Sequence, residues 1–187
     1  MSDRRTTRDL ALAALMTALV GVGAYLSIPL YGGIPFTLQV LFVLLAGLVL
    51  GSRLAMLSMI AYVLIGLIAP VYAGGTSGLG ILFGPPGGYI WGFVVAAWLV
   101  GLLVERTGVR SVAGYAIVSL AGLIPIHLLG ASWLAIQLHT TGFNVVIWGG
   151  VLQFLPGDVL KAVAAALAMR SLAATPVHLP ALSARRR

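Results

Sequence analysis

The feature that most constrains this chain is where its charges are absent. Between Leu10 and Ala174 it runs in apolar blocks, and the breaks between blocks alternate between basic and uncharged. Arg4, Arg5 and Arg8 precede the first block, and Arg53 falls between the second and third. Glu105, Arg106 and Arg110 lie between the fourth and fifth, and Arg170, Arg185, Arg186 and Arg187 follow the sixth. The other breaks, 29–35, 71–87 and 136–156, hold no Lys, Arg, Asp or Glu. Backbone crossing lipid must satisfy its own hydrogen bonds, and apolar blocks near the length of a bilayer do this as helices. The spacing predicts six spans, at Leu10–Ile28, Phe36–Leu50, Leu54–Pro70, Gly88–Val104, Val112–Ala135 and Gly157–Ala174. Six spans put every arginine on one side, whereas five would mix the two kinds of break. The excess of arginine marks that side as cytoplasmic, so both termini are expected there. The expected fold is an all-α membrane protein, a bundle of six transmembrane helices.

Composition narrows the function. The chain of 187 residues is 60% hydrophobic and 8% charged, against about 25% charged in a soluble domain. A single integral membrane domain spanning 1–187, with short tails, accounts for it. With no cysteine there is no disulfide framework, thiol nucleophile or cysteine metal site. His127, His139 and His178 are far apart and form no local metal motif. The net charge of +7 is sorted as a topology signal and makes no stripe for nucleic acid. The first block continues past any short signal-peptide core, with no A-x-A-like site closing it, and is expected to be a span.

The uncharged connections are unusual. "SIPLYGGIPFTLQ", "VYAGGTSGLGILFGPPGGY" and "LHTTGFNVVIWGGVLQFLP" are rich in glycine, proline and aromatics. Irregular apolar backbone must pack on protein or line a cavity. These loops are therefore expected to cap an outward-facing ligand pocket. Trp98 fits the interfacial aromatic belt, and Trp91 and Trp148 flank the loops and can line the pocket. No internal repeat is visible, so an inverted-repeat transporter has no support.

Against this background, "FLPGDVLKA" places Asp158 and Lys161 on one face of the last helix. Pro156 and Gly157 break the chain just before them. Asp158 then sits in the first turn, where the helix dipole favours an anion. A sixth helix of about 18 residues, or about 27 Å, reaches Arg170 at the cytoplasmic edge, so the pair lies in the outermost turn. Buried ion pairs contribute little net stability. An apolar pocket with a few convergent polar groups is the usual small-molecule site. The couple therefore reads as a polar site for a small ligand. A bare neutralising pair and a proton relay are the competing readings.

In "ILFGPPGGYIWGF", Gly87 and Gly88 allow positive φ and close approach of a ligand to backbone N–H groups, and Tyr89 offers a hydroxyl at the pocket floor. Gln39 is a buried amide near the outer end of the second span, fit for a ligand or for a helix–helix hydrogen bond. Ala14 and Ala18 are a small-xxx-small pair that allows close helix approach. His127, beside Pro125, is read as an internally hydrogen-bonded residue ahead of a ligand group. The string Gly75-Thr76-Ser77-Gly78 resembles a serine-protease GxSG, but it falls in a glycine-rich loop where such strings recur by chance. The chain is not expected to be an enzyme.

"IPFTLQ", "AGGTSGLGILFGPPGGYIWGF" and "FLPGDVLKA" resemble, in the same order, the signature stretches of the biotin-specific S component (BioY family) of energy-coupling-factor transporters. The family often has Thr where Pro86 stands. The resemblance covers about Leu10 to Arg170 and implies a multi-pass protein of the bacterial cytoplasmic membrane that binds biotin near its outer face. It implies partners: a transmembrane coupling subunit, docked on the alanines of the first helix at Ala14 and Ala18, and two ATPases. It implies transport by toppling of the whole subunit, and no cofactor beyond biotin as cargo. The chain has no GxxxxGK[ST] string with which to hydrolyse ATP itself. Asp158 is expected to accept ureido N–H groups. Lys161 meets either the ureido oxygen or the valeryl carboxylate; charge favours the carboxylate, the resemblance the ureido end. Gln39, glycine-loop N–H groups including Gly75, and Tyr89 are expected to complete the polar contacts, with Phe36, Tyr72 and Trp91 as apolar walls. The alternatives are an S component for another vitamin and a proton-coupled secondary transporter titrating Asp158.

Overall fold

The computed structural model describes residues 2–30, 34–139, 142, 146–175 and 179–183, with side chains from Thr6 onward except at Ser183. The elements, in order, are α1 (Ser2–Tyr25), β1 (Ser27–Ile28), β2 (Phe36–Thr37), α2 (Gln39–Leu50), α3 (Ser52–Gly66), α4 (Leu79–Leu82), α5 (Gly87–Thr107), α6 (Val112–Gln137), α7 (Leu155–Ala173) and α8 (Pro180–Ser183). Arg185, Arg186, Arg187 and His178 lie outside the described residues.

Four stretches are long and apolar enough to cross a membrane: Thr6–Tyr25, Gly87–Thr107, Val112–Gln137 and Trp148–Ala173. The helices α2 and α3 are shorter, at 12 and 15 residues. The helix α2 begins later, and α3 ends earlier, than the expected span. Phe36 and Thr37 are extended, pairing antiparallel with Ile28 and Ser27, so this part of the expected second span is a strand. At the other end of α3, residues after Gly66 leave the helix, and Gly78 N–H donates to the Gly66 carbonyl. The helix α1, in contrast, extends back through the polar residues from Ser2, where hydropathy carries no signal for it.

Small residues set the packing. The helices α2 and α5 occupy the middle; α1 and α3 lie to one side, α6 and α7 to the other. Ten of the twelve α2 residues are buried, so a short helix suffices where protein surrounds it. A Cβ on Gly92 would lie 2.8 Å from the Ile126 backbone, and one on Gly88 would lie 2.3 Å from the Trp133 side chain. These glycines let α5 and α6 approach backbone to backbone, the close contact on which membrane helix packing depends. Gly87 and Gly88 are therefore helical packing residues, not the expected positive-φ loop; the left-handed glycines of this region are Gly74, Gly75 and Gly78.

The arginine-bearing turns are locally capped. Gly51, at φ +79°, turns the chain from α2 into α3, and Glu105 from α5 receives the Ser52 N–H (2.9 Å) and hydroxyl (2.7 Å). A side-chain carboxylate thus supplies the N-terminal cap that the α3 backbone lacks. Gly108 ends α5 in the left-handed conformation, and Ser111 caps α6 by accepting the Gly114 N–H. At the opposite end, Trp148–Leu152 forms a π-helical turn that leads towards α7. Pro156 and Gly157 consequently do not break the chain; Pro156 sits in the first turn, where its missing N–H is harmless. Glu105→Ala is expected to cost about 1–2 kcal/mol through loss of the α3 cap, lowering the unfolding midpoint in detergent, with Glu105→Gln intermediate.

Candidate functional site

A cavity of about 220 Å³ lies where the uncharged connections meet the ends of α2, α5, α6 and α7. Ile34, Pro35, Phe36 and Thr37 line it from the first connection, and Ala73, Thr76, Ile81 and Pro86 from the second. Gln39 and Val40 contribute from α2, Tyr89, Ile90 and Phe93 from α5, and Ile126 and His127 from α6. Phe154 closes the far side just before α7, which adds Asp158 and Lys161.

The polar centre is built on α7. Lys161 Nζ donates to Asp158 Oδ1 at 2.8 Å, as their i, i+3 spacing allows. Both residues are buried, with 2% and 6% of their surface exposed. The lysine ammonium also lies 3.5 Å from the centroid of the Phe36 ring, where the π face attracts a cation. Gly157 makes that contact sterically feasible: a Cβ there would fall 2.3 Å from the Phe36 ring. The second carboxylate oxygen, Oδ2, lies 3.1 Å from His127 Nε2. The imidazole does not aim at it as a well-directed hydrogen bond, and neither ring nitrogen has such a partner. The sequence favours an internally bonded His127; the fold instead sets it beside the couple, in the cavity lining.

Around this centre the remaining polar groups are committed to one another. Thr37 donates to Gln39 Oε1 at 2.8 Å, and Gln39 Nε2 donates to the Tyr62 hydroxyl. The Tyr62 hydroxyl in turn donates to the Val71 carbonyl at 3.1 Å. Gln39 thus lines the cavity and joins helices at once. Tyr89 lies with its ring in the wall, but its hydroxyl donates to the Gly150 carbonyl at 2.6 Å. It packs into the space that Gly130 leaves open. Thr76 donates to the Ala73 carbonyl at 3.0 Å.

Five of the eight expected ligand residues line this cavity: Phe36, Gln39, Tyr89, Asp158 and Lys161. Tyr72, Gly75 and Trp91 do not. Tyr72 is fully buried, donates to the Val63 carbonyl at 2.8 Å and fills a slot left by Gly66, where a Cβ would overlap its ring. Gly75 adopts φ +73° against the Tyr25 ring, while its neighbours Ala73 and Thr76 face the cavity. Trp91 is 41% exposed. It follows Tyr89 by two positions, about 200° around the helix, so the two cannot share a face. The same geometry identifies residues missed from sequence. Phe93 is four on from Tyr89 and Phe154 four before Asp158, each stacked one turn away on the same face. Ser77 is exposed on the loop before α4 and outside the cavity, which leaves the protease reading without a site. Among the described residues no cluster of three metal-ligating side chains occurs.

A second cavity, about 460 Å³, runs between α1 and α3. Ala14 and Ala18 line it, with Gly21, Tyr25, Tyr62 and Val71. Both alanines are exposed.

The comparisons agree with one another. A 42% identical relative, the biotin transporter BioY of Thermotoga maritima, aligns over 161 residues, 86% of this chain and 92% of its own. The biotin transporter BioY of Rhodobacter capsulatus is 41% identical over 89% of this chain and 93% of its own. A crystal structure of the S-component for biotin from an ECF-type ABC transporter superposes with a TM-score of 0.86 at 29% identity, covering 94% of this chain and 95% of that one. The BioY family profile matches residues 1–176, and with these relatives it establishes that the chain belongs to the BioY family.

Proposed function

We propose that this chain captures biotin at the outer face of the cytoplasmic membrane, as the substrate-binding S component of an ECF-type transporter. The observation that carries the reading is the buried Asp158–Lys161 couple beside an open cavity. Its relatives are biotin transporters, and a superposing structure is a biotin S-component. Biotin offers an apolar thiophane ring and chain, a neutral ureido head and a carboxylate. The apolar side chains at Phe36, Ile90, Phe93, Ile126 and Phe154 suit the ring.

The ureido head belongs at the couple. Lys161 is already charge-balanced by Asp158 at 2.8 Å, so it is not a lone cation in search of an anion. A neutral head adds hydrogen bonds there without adding charge, whereas a second carboxylate in the low-dielectric site would oppose Asp158. Lys161 donates to the ureido oxygen and Asp158 accepts an N–H. The valeryl carboxylate then points to the mouth, where water solvates it. The loops at 34–37 and 73–86 roof the ligand.

In this reading α2 and α3 complete a set of six spans, and the alternating arginines place both termini in the cytoplasm. Surrounded by other helices, α2 has little contact with lipid, which removes the length requirement of an isolated span. The transmembrane coupling subunit, driven by its ATPases, docks at α1. The exposed Ala14 and Ala18 there open the α1–α3 groove to a close helix–helix contact.

Two measurements check the proposal. Asp158→Asn and Lys161→Ala are each expected to weaken biotin binding to the purified protein by about 2–5 kcal/mol, or about 30-fold and more. Unchanged affinity in both, or equal competition by unrelated vitamins, removes the site. Ala14→Leu with Ala18→Leu is expected to leave binding within about threefold and abolish co-purification with the coupling subunit. Retained assembly overturns the docking face.

A further inference from the structure

Among the described residues, the cavity wall contains one polar side chain that makes no directed hydrogen bond. Gln39, Thr37, Tyr89 and Thr76 each donate to a protein acceptor, and Lys161 is held by Asp158 and Phe36. His127 is 8% exposed, and among the described residues neither of its ring nitrogens has a directed partner. A buried imidazole kept only for packing would be served better by an apolar ring, because burying an unmatched polar group is unfavourable.

The fold also fixes where that ring stands. Its plane lies 31° from that of Phe154, at a centroid distance of 6.4 Å. Gly92 brings α5 against the backbone of the preceding residue, Ile126, so α6 cannot turn away. His127 Nε2 is 3.1 Å from Asp158 Oδ2. A proton on Nε2 is the tautomer that a facing carboxylate favours, and it leaves Nδ1 as an acceptor. The cavity lining then holds a carboxylate acceptor, an ammonium donor and an imidazole acceptor. A cyclic urea offers N–H, C=O and N–H, their one-to-one complement.

We propose that His127 is a third recognition group of the cavity, accepting one ureido N–H of the ligand while Lys161 and Asp158 take the carbonyl and the other N–H. The assignment rests on the biotin reading above and deepens it. His127 makes the site selective for a urea with both nitrogens unsubstituted. A site built to hydrogen-bond a group discriminates strongly against analogues that lack it.

The test compares biotin with its two mono-N-methylated ureido isomers, binding to purified wild type, His127→Phe, His127→Asn and Asp158→Asn. Wild type is expected to bind both isomers at least about tenfold more weakly than biotin. His127→Phe is expected to bind biotin about tenfold more weakly and to lose discrimination against one isomer only, to within about threefold, while rejecting the other as before. His127→Asn, which keeps an acceptor, restores part of that discrimination. A packing role lowers affinity for all three ligands together. Discrimination against both isomers that survives in His127→Phe overturns the proposal, as does its absence in wild type. If His127→Phe fails to fold, unaltered discrimination in His127→Asn alongside unaltered biotin affinity overturns it too, and partial loss supports it. Biotin binding that ignores Asp158→Asn defeats the underlying site reading instead, which separates the two failures.

Discussion

A lysine, a carboxylate and an imidazole share one buried point at the top of α7, and the surrounding fold is arranged to hold them there. Removing two charges from water costs several kcal/mol per ion, and the 2.8 Å contact between Lys161 and Asp158 offsets only part of it. The rest is met locally. The carboxylate sits in the first turn of α7, where the helix dipole is favourable. The ammonium lies over the Phe36 ring, which reaches it because residue 157 is glycine. Even so, neither ring nitrogen of His127 has a directed hydrogen bond, and His127 and Asp158 both line the cavity. In the proposed reading, that unmatched capacity is what the ureido head of biotin meets.

Rigidity of the site comes from close backbone packing. With α5 seated against α6 through Gly88 and Gly92, Tyr89 and His127 are presented from two helices that cannot slide independently. The Thr37–Gln39–Tyr62–Val71 chain of hydrogen bonds fastens the first connection to the start of α2, to α3 and to the second connection. Tyr62 and Val71 also line the α1–α3 groove, so this chain of hydrogen bonds runs from one cavity to the other. A small-molecule pocket on such a frame is preorganised, which lowers the ordering cost of binding.

Much of this was legible in the residues. Each apolar block between the arginine-bearing and uncharged breaks contains a helix, and four of the stretches are long and apolar enough to cross a membrane, because charge and hydropathy both report on the membrane boundary. The Asp158–Lys161 couple stood out because no other Lys, Arg, Asp or Glu lies between Arg110 and Arg170. What the sequence did not reveal were features fixed by tertiary context. The start of α1 lies in polar residues that carry no apolar period. The proline-glycine pair before Asp158 read as a break, while a π-helical turn carries the chain towards α7. Trp91 adjoins a loop in sequence, but its two-residue offset from Tyr89 points it elsewhere. Tyr72 depends on a slot opened by Gly66, and the rotation of His127 on the contact of α6 with α5; neither is visible before the helices meet.

The central claim is that the buried couple is kept for its ligand and not for the stability of the bundle. Replacing both charges with apolar residues of similar volume, Asp158→Leu with Lys161→Met, separates the two roles in one variant. Its thermal unfolding and its biotin binding are then measured side by side in detergent. The account predicts an unfolding midpoint equal to or above that of the parent, together with complete loss of binding. A variant that unfolds several degrees lower while still binding biotin would contradict it.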